Sequence, residues 1–154
     1  MKKILVLSDS HGHFEKILKI YELEKPDIVI FSGDGTEDIE NFLYIYENIE
    51  HYEVRGNCDF FSKFKDEDVF KIENYNFFLT HGHLYDVKFS LENLRKILRT
   101  TQVNIIVYGH THRENIEVLA ENKILFNSGA VKDNKYGIII IDKEKKLYFI
   151  NKKL

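Results

Sequence analysis

Residues 3–12 read KILVLSDSHG. The apolar, β-branched run from Ile4 to Leu7 is typical of a strand that is covered on both faces. A polar group, Asp9-Ser10-His11-Gly12, follows the run after a single residue, Ser8. The stretch therefore predicts a buried strand whose carboxyl end carries a carboxylate, an imidazole and a flexible glycine.

Four further apolar runs end in the same kind of polar group. These groups are Gly33-Asp34-Gly35, Arg55 to Asp59, His81-Gly82-His83 and Gly109 to His112. A single HxH or DxH is often only a polar turn, but five such groups in alternation with buried strands are hard to explain in that way. The carboxyl ends of parallel strands meet at one edge of a sheet, so we expect these side chains to converge.

Helical segments alternate with the strands in the first half of the chain. Helices are predicted at 13–25 and at 36–49, the second with Thr36 as N-cap, between strands at 3–9, 27–34 and 51–55. Strand–helix alternation indicates a parallel sheet with right-handed crossovers.

The second half of the chain is richer in strands. We predict a hairpin of 69–72 and 77–80 around a turn at 73–76, a helix at 90–100 capped by Ser90, and a strand within 103–112. Two strands around Glu121-Asn122 and a last hairpin at 136–152 follow. This pattern predicts an α/β protein of two packed sheets with helices outside.

The composition excludes several classes of protein. The 154 residues suggest a single domain over 1–154, and 44% apolar with 31% charged residues is an ordinary soluble mixture. The net charge of −3, without a basic block, does not favour nucleic acid as a partner. Cys58 is the only cysteine, which rules out a disulfide framework and a cysteine-rich zinc site.

We expect a cytoplasmic protein that does not enter a membrane. The amino terminus starts like a signal peptide, but its apolar run, Ile4 to Ser8, is ended by Asp9. No stretch approaches the roughly twenty apolar residues that a membrane span needs. A single cysteine also suits a reducing compartment.

The converging groups predict a metal centre. They supply two aspartates, one asparagine and four or five histidines, a donor set that suits Mn, Fe, Ni, Zn or Co. A pair of metal ions needs about seven protein ligands when one carboxylate bridges both ions. Six of the eight glycines lie beside these residues, where they allow sharp turns and close approach.

The ordered motifs DSHG, GD, GNCD, THGH and GHTH resemble the calcineurin-like metallophosphoesterases, most closely the small YfcE-type bacterial and archaeal phosphodiesterases. The resemblance covers almost the whole chain. It implies a four-layer α/β/β/α sandwich of two mixed sheets with outer helices. It also implies two divalent metal ions, manganese first and Ni, Co, Fe, Zn or Mg as alternatives, and hydrolysis of a small phosphodiester by a hydroxide that bridges them.

The resemblance assigns a role to each matching residue. The metal ligands are Asp9, His11, Asp34, Asn57, His81, His110 and His112, with Asp34 as the bridge. His110 would bind the second metal ion and His112 the first. The expected catalytic residues are Asp34, Asn57 and His83.

Three features depart from the family pattern. Cys58 stands where many members of the superfamily carry a histidine that assists the leaving group, so the general acid stays open between His83 and His13. His83 could equally be a residue of the rim. Glu37 replaces the second aspartate of GDxxD. The loop Asn127–Ala130, where Ser128 replaces a proline, is expected to support His112.

Two other functions share this fold. A eukaryotic vesicle-sorting subunit uses it as a non-catalytic interaction scaffold with a degraded metal site, whereas all seven matched ligands are competent here. Nucleases of the superfamily usually carry extra domains and basic surface, neither of which we expect here. Phe60, Phe61 and Phe64 would lie in the core or over the site, or would form an interface that allows a homo-oligomer.

Overall fold

Two five-stranded sheets form the centre of the structure, a computed structural model that describes residues 1–154. The strands are β1 (Lys2–Leu7), β2 (Ile28–Phe31), β3 (Glu50–Glu53), β4 (Glu67–Ile72), β5 (Tyr75–Thr80), β6 (Ile105–Tyr108), β7 (Asn115–Ala120), β8 (Lys123–Asn127), β9 (Lys135–Ile141) and β10 (Leu147–Lys153). The helices are α1 (Phe14–Glu24), α2 (Thr36–Ile45) and α3 (Glu92–Thr100). Two 3₁₀ turns cover His83–Tyr85 and Val131–Asp133.

Both sheets are mixed, as the sequence predicts. The first has the order β10-β9-β1-β2-β3, and the second has the order β4-β5-β6-β8-β7. In the first sheet, β1 pairs in parallel with β2 and β2 with β3, through crossovers that contain α1 and α2. In the second sheet, β5, β6 and β8 run in parallel. The antiparallel strands lie outside these parallel sets.

An apolar layer between the sheets holds them face to face. Its fully buried members include Ile4 and Ile30 of the first sheet and Phe77, Ile105 and Phe126 of the second. Because side chains alternate along a strand, the neighbouring residues of β1 and β6 face outward. These outward-facing apolar side chains must also be shielded from water by other elements.

The three helices supply that cover. Ile17 and Ile20 of α1 pack against the outer face of the first sheet, together with Phe42 of α2. Leu94 and Leu98 of α3 pack against the outer face of the second sheet. The predicted four-layer α/β/β/α sandwich is therefore confirmed. None of these helices has the length and apolarity to cross a membrane.

The start of α2 differs from the prediction. Gly35, not Thr36, occupies the N-cap position, and Thr36 is the first residue of the helix. The backbone N–H groups of Gly35 and Thr36 donate to Oδ1 of Asp59 at 3.0 and 3.1 Å. A carboxylate from the loop after β3 thus caps the helix, so the cap is a tertiary contact that the local sequence does not show.

Other boundaries shift by a few residues. The helix α2 ends at Ile45 instead of residue 49, because the chain turns there to enter β3 at Glu50. The turn between β4 and β5 has only two residues, since Tyr75 already pairs with Ile72. Leu91 holds the N-cap position of α3, although Ser90 Oγ accepts the N–H of Glu92 at 3.1 Å.

We expect replacement of Phe77 by alanine to lower the free energy of unfolding by about 3–5 kcal/mol, because it empties a fully buried site between the two sheets. The matched control is Phe89→Ala, whose side chain is 91% exposed and whose loss should change stability by less than about 0.5 kcal/mol. Chemical denaturation of both variants measures the difference. Similar small losses in both would contradict the central position of Phe77.

Candidate metal centre

The candidate ligands follow directly on buried strands of both sheets. Asp9 and His11 lie after β1, Asp34 after β2, His81 after β5, and His110 and His112 after β6. Five of them have positive φ values, between 43° and 68°: Asp9, His11, Asp34, His110 and His112. Left-handed backbone is uncommon for residues other than glycine and clusters at functional sites.

A first group of ligand atoms comes from Asp9, His11 and His112, and these atoms all lie within 4.8 Å of one another. Oδ1 of Asp9 is 3.1 Å from Nε2 of His112 and 3.7 Å from Nε2 of His11. Asp9 is buried, whereas the two imidazoles are partly open to solvent. A carboxylate and two imidazoles at this spacing are sufficient to hold a divalent ion.

A second group comes from Asp34, His81 and His110, within the same 4.8 Å limit. Oδ2 of Asp34 is 3.2 Å from Nε2 of His81, and the rings of His81 and His110 lie 5.0 Å apart. This group mirrors the first in composition, with one carboxylate and two imidazoles.

The two groups are adjacent, and each draws on both sheets. Oδ2 of Asp34 lies 3.8 Å from Nε2 of His11 in the first group, and Oδ1 of Asp9 lies 3.8 Å from Nε2 of His81 in the second. The first sheet supplies Asp9, His11 and Asp34, whereas the second supplies the other three histidines. The centre therefore exists only when the sheets are packed together.

The residues present fit bound cations. Oδ1 of Asp9 and Nε2 of His81 are buried, and neither makes a hydrogen bond of good geometry, although Nε2 of His112 and Oδ2 of Asp34 lie 3.1 and 3.2 Å away. Nδ1 of His81 lies 2.7 Å from the carbonyl oxygen of Ser32, to which it can donate, and this contact leaves Nε2 free to act as a ligand. Buried polar atoms without good hydrogen bonds are costly, so two such atoms only 3.8 Å apart indicate a ligand there.

The carboxylates of the centre attract positive charge, which is a proton on His81 or a bound cation that displaces this proton. Burial alone would raise the pKa of Asp34, but His81 and the N–H of Cys58 lower it well below its usual value. Burial alone would lower the pKa of His81, but Asp34 and Asp9 hold it above its usual value. Burial and the neighbouring His81 lower the pKa of His110 to about 4. His110 is therefore neutral near pH 7 and offers a lone pair.

Asn57 and His83 lie at the edge of the centre. Asn57 is exposed, and its amide nitrogen donates to Sγ of Cys58 at 3.6 Å; it makes no hydrogen bond with the six other candidate ligands. The ring of His83 lies 5.5 Å from that of His81 and 6.1 Å from that of His110. Asn57 and His83 line one cavity of about 260 Å³. The structure thus brings His83 close to the second group, and the role of Asn57 as a metal ligand stays a prediction.

Cys58 and His13 differ in their relation to the centre. Sγ of Cys58 lies within 4.8 Å of ligand atoms of His11 and Asp34. Burial and Asp34 raise the pKa of the Cys58 thiol, so it stays protonated and is a poor nucleophile. His13 precedes α1, and its Nδ1 lies 3.4 Å from the Glu15 carboxylate. His13 is in neither group.

Sequence reasoning missed two carboxylates that position the ligand loops. Asp59 Oδ2 accepts the N–H groups of Asp34 at 2.8 Å and Gly56 at 2.7 Å, in addition to the two N–H groups that its Oδ1 accepts. Asp38 Oδ2 accepts Ser10 Oγ at 2.5 Å and the N–H of Gly12 at 2.9 Å. Asp59 is the last residue of the GNCD motif, and this position was the sequence signal for its role. The second of these carboxylates is the buried Asp38, not Glu37 at the last position of the GDxxD motif.

The loop after β8 supports the turn that carries His110 and His112. Nδ2 of Asn127 donates to the carbonyl oxygen of Gly109 at 3.2 Å and to Oγ1 of Thr111 at 3.1 Å. Gly109 itself leaves no room for a side chain, since a Cβ atom there would lie 2.1 Å from Oγ of Ser8. The loop therefore holds the turn between the two histidines and makes no hydrogen bond to the side chain of His112.

The three phenylalanines after β3 do not share one environment. Phe64 packs against the core under the helices. Phe60 and Phe61 are 79% and 100% exposed and line a cavity beside His11. The prediction of core or cover is therefore correct for Phe64, whereas Phe60 and Phe61 present free aromatic faces.

Comparison with known proteins agrees with this arrangement. A family model described as a calcineurin-like phosphoesterase superfamily domain matches residues 1–146. The chain is 31% identical over 130 residues to a probable metallophosphoesterase, YsnB, of Bacillus subtilis (strain 168), covering 84% of this chain and 75% of that protein.

Solved structures share the fold. A conserved uncharacterized protein of Streptococcus pneumoniae TIGR4, a predicted phosphoesterase, has a TM-score of 0.77 at 22% identity and covers 99% of this chain and 98% of its own. Wild-type Vps29 of Entamoeba histolytica, complexed with zinc, has a TM-score of 0.74 at 19% identity and covers 98% of both chains. The phosphoesterase YfcE of E. coli has a TM-score of 0.68 at 21% identity and covers 96% of this chain and 98% of its own.

We expect Asp59→Asn to lower metal affinity by about 10- to 100-fold, because an amide replaces a carboxylate oxygen that accepts backbone N–H groups of the Asp34 loop. It should also lower the free energy of unfolding by about 1–3 kcal/mol. Titration calorimetry and denaturation measure the two effects. Asp142→Asn is the matched control, because the Asp142 carboxylate accepts backbone N–H groups of an exposed turn that lies outside the centre. Unchanged metal affinity in Asp59→Asn would contradict the positioning role.

Proposed function

The chain belongs to the calcineurin-like phosphoesterase superfamily, and we propose that it is a phosphodiesterase that uses two divalent metal ions. The observation that carries the proposal is the pair of adjacent groups, each with one aspartate and two histidines, within 4.8 Å. Bound there, two cations would polarise the phosphoryl oxygens and lower the pKa of a water molecule to near neutral.

Each residue has a defined task in this proposal. Asp9, His11 and His112 would hold one ion, and His81 and His110 the other. Asp34 would bridge the two, since its Oδ2 faces a histidine of each group at 3.2 and 3.8 Å. Its Oδ1 accepts the N–H of Cys58 at 2.9 Å, which fixes the orientation of the carboxylate. Asn57 would complete the ligands of the second ion if its exposed side chain adopted another rotamer.

The remaining polar groups would act on the phosphate and the leaving group. His83 lies beside the second group, and burial together with His81 lowers its pKa, so it is neutral near pH 7. A neutral imidazole is a hydrogen-bond donor at one nitrogen, and His83 would place that donor near the substrate. Asn57, in the same cavity, would donate its amide to a phosphoryl oxygen when it does not bind metal.

The donor set supports several metals. Imidazole and carboxylate ligands suit manganese, which we expect, but equally nickel, cobalt, iron, zinc and magnesium, so availability would decide among them. No ligand in either group is a thiolate. The partner we expect is a small phosphodiester, because the net charge of −3 does not favour nucleic acid.

A non-catalytic scaffold is the alternative function. It shares the fold, as the similarity to Vps29 illustrates. The complete set of ligands favours catalysis, together with the buried Oδ1 of Asp9 and Nε2 of His81, which lack hydrogen bonds of good geometry. Such buried atoms are costly unless a bound cation compensates them, so they support a metal centre. A homo-oligomer through the exposed aromatic residues stays a prediction.

We expect the protein, stripped of metal and then reloaded, to hydrolyse bis(p-nitrophenyl) phosphate faster than p-nitrophenyl phosphate. The assay would compare Mn, Ni, Co, Zn and Mg. Asp34→Asn and His110→Ala should each lower kcat by at least about 100-fold, because each removes a ligand that positions a cation at the reacting phosphate.

The matched control is His51→Ala, since His51 pairs with Glu53 outside the centre and its loss should leave the rate unchanged. Calorimetry would count the bound ions per chain, and two would agree with the proposal. Metal binding without turnover of either ester by any of the five ions would count against catalysis and favour the scaffold.

A further inference from the structure

A cavity of about 480 Å³ opens beside the first group of ligands. His11 and Asp34 belong to its lining, and the rest comes from the start of α2 and the loop after β3. Its volume falls within the range of about 300–1,000 Å³ that is typical of small-molecule sites. A phosphodiester held at the centre could extend one of its two ester arms into this cavity, so the lining would select that arm.

The lining is acidic. Besides Asp34 it contains four carboxylates and neither lysine nor arginine; the four are Glu37, Asp38, Glu40 and Asp59. Asp38 and Asp59 are used by the hydrogen bonds that shape the loops. Glu37 and Glu40 are exposed and form no ion pair. Two uncompensated carboxylates therefore face whatever enters the cavity.

The hydrogen-bond donors of the lining are largely in use. The N–H groups of Gly35 and Thr36, at the start of α2, donate to Asp59, and the N–H of Gly12 donates to Asp38. A helix start would otherwise attract an anion. Here carboxylates of the chain itself already take that place, so an anionic arm finds neither free charge nor these donors.

Aromatic rings complete the lining. Phe60 and Phe61 are 79% and 100% exposed, so their ring faces are open to a ligand. A cation over the face of an aromatic ring is attracted by the ring quadrupole, and carboxylates beside the ring add to this attraction. Free aromatic faces next to unpaired carboxylates are the usual means of binding an organic cation.

We propose that this cavity binds a cationic ester arm, so that the substrates are phosphodiesters of an amino alcohol, with a quaternary ammonium group as the best fit. This inference rests on the proposed phosphodiesterase function. A second cavity of about 560 Å³, which Thr111 between the two histidines of the GHTH turn helps to line, contains Lys88 and Arg113 and one carboxylate, Glu114. A cationic arm would therefore be attracted to only one of the two cavities, the acidic one.

The test compares two substrates that differ in one atom. The first is p-nitrophenyl phosphocholine, and the second is p-nitrophenyl 3,3-dimethylbutyl phosphate, in which carbon replaces the charged nitrogen. With the metal-loaded protein we expect kcat/KM to be at least about tenfold higher for the cationic ester. Both esters release the same chromophore, so the leaving group does not affect the comparison.

Variants of the lining locate the preference. The double variant Glu37→Gln, Glu40→Gln and the single variant Phe61→Ala should each lower the ratio of the two kcat/KM values by about fivefold. Matched controls are Glu47→Gln and Tyr44→Ala, which are exposed and lie outside the cavity. These controls should change neither the ratio nor the rate, and circular dichroism would verify that all variants are folded.

The possible outcomes separate the preference for a cationic ester arm from the phosphodiesterase function itself. Equal rates for both esters, a ratio that the lining variants leave unchanged, or turnover of bis(p-nitrophenyl) phosphate alone would overturn the cationic arm and leave the phosphodiesterase standing. If no phosphodiester is hydrolysed, choline would be titrated into ¹⁵N-labelled protein. Shifts confined to the amides of residues 35–40 and 58–62 would then support a cation site without catalysis, and their absence would overturn it.

Discussion

The apolar layer between the two sheets is the interaction on which the rest of the structure depends. Residues of β1 and β2 interlock there with residues of β5, β6 and β8, and all of them are buried. At about 25 cal/mol for each Å² of apolar surface removed from water, burial of this layer is a dominant stabilising contribution. The same packing brings the carboxyl ends of β1 and β2 against those of β5 and β6. Because each group of ligands draws on both sheets, the centre forms only when this layer does.

Strained features are concentrated at the centre. Five of its residues have left-handed backbone, and two buried polar atoms there lack a hydrogen bond of good geometry. Such features cost about 1–3 kcal/mol each and persist only where the surroundings determine them. Asp59 and Asp38 supply that determination, since their carboxylates gather N–H groups from the loops after β1, β2 and β3. The stability of the layered core thus offsets the strain of the loops that carry the ligands.

The failures of sequence prediction have a common physical cause. The strands and all three helix starts could be placed to within a few residues, because apolar periodicity is a local signal. The cap of α2 could not, since it comes from Asp59, which is distant in the sequence. A motif also carries no information on a rotamer: Asn57, whose role as a metal ligand stays a prediction, donates its amide N–H to Sγ of Cys58. The exposure of Phe60 and Phe61 likewise depends on which surface their loop crosses.

The sequence by itself determined the order of strands and helices, the residue types at five strand ends, and the donor set of carboxylates and imidazoles. These follow from spacing and side-chain chemistry, which each segment expresses on its own. Only the tertiary structure decided which donors meet, namely Asp9 with His11 and His112, and Asp34 with His81 and His110. It also decided that acidic and aromatic residues border one side of the centre. These are distances between segments that are remote in the chain, and the packing of two sheets sets them.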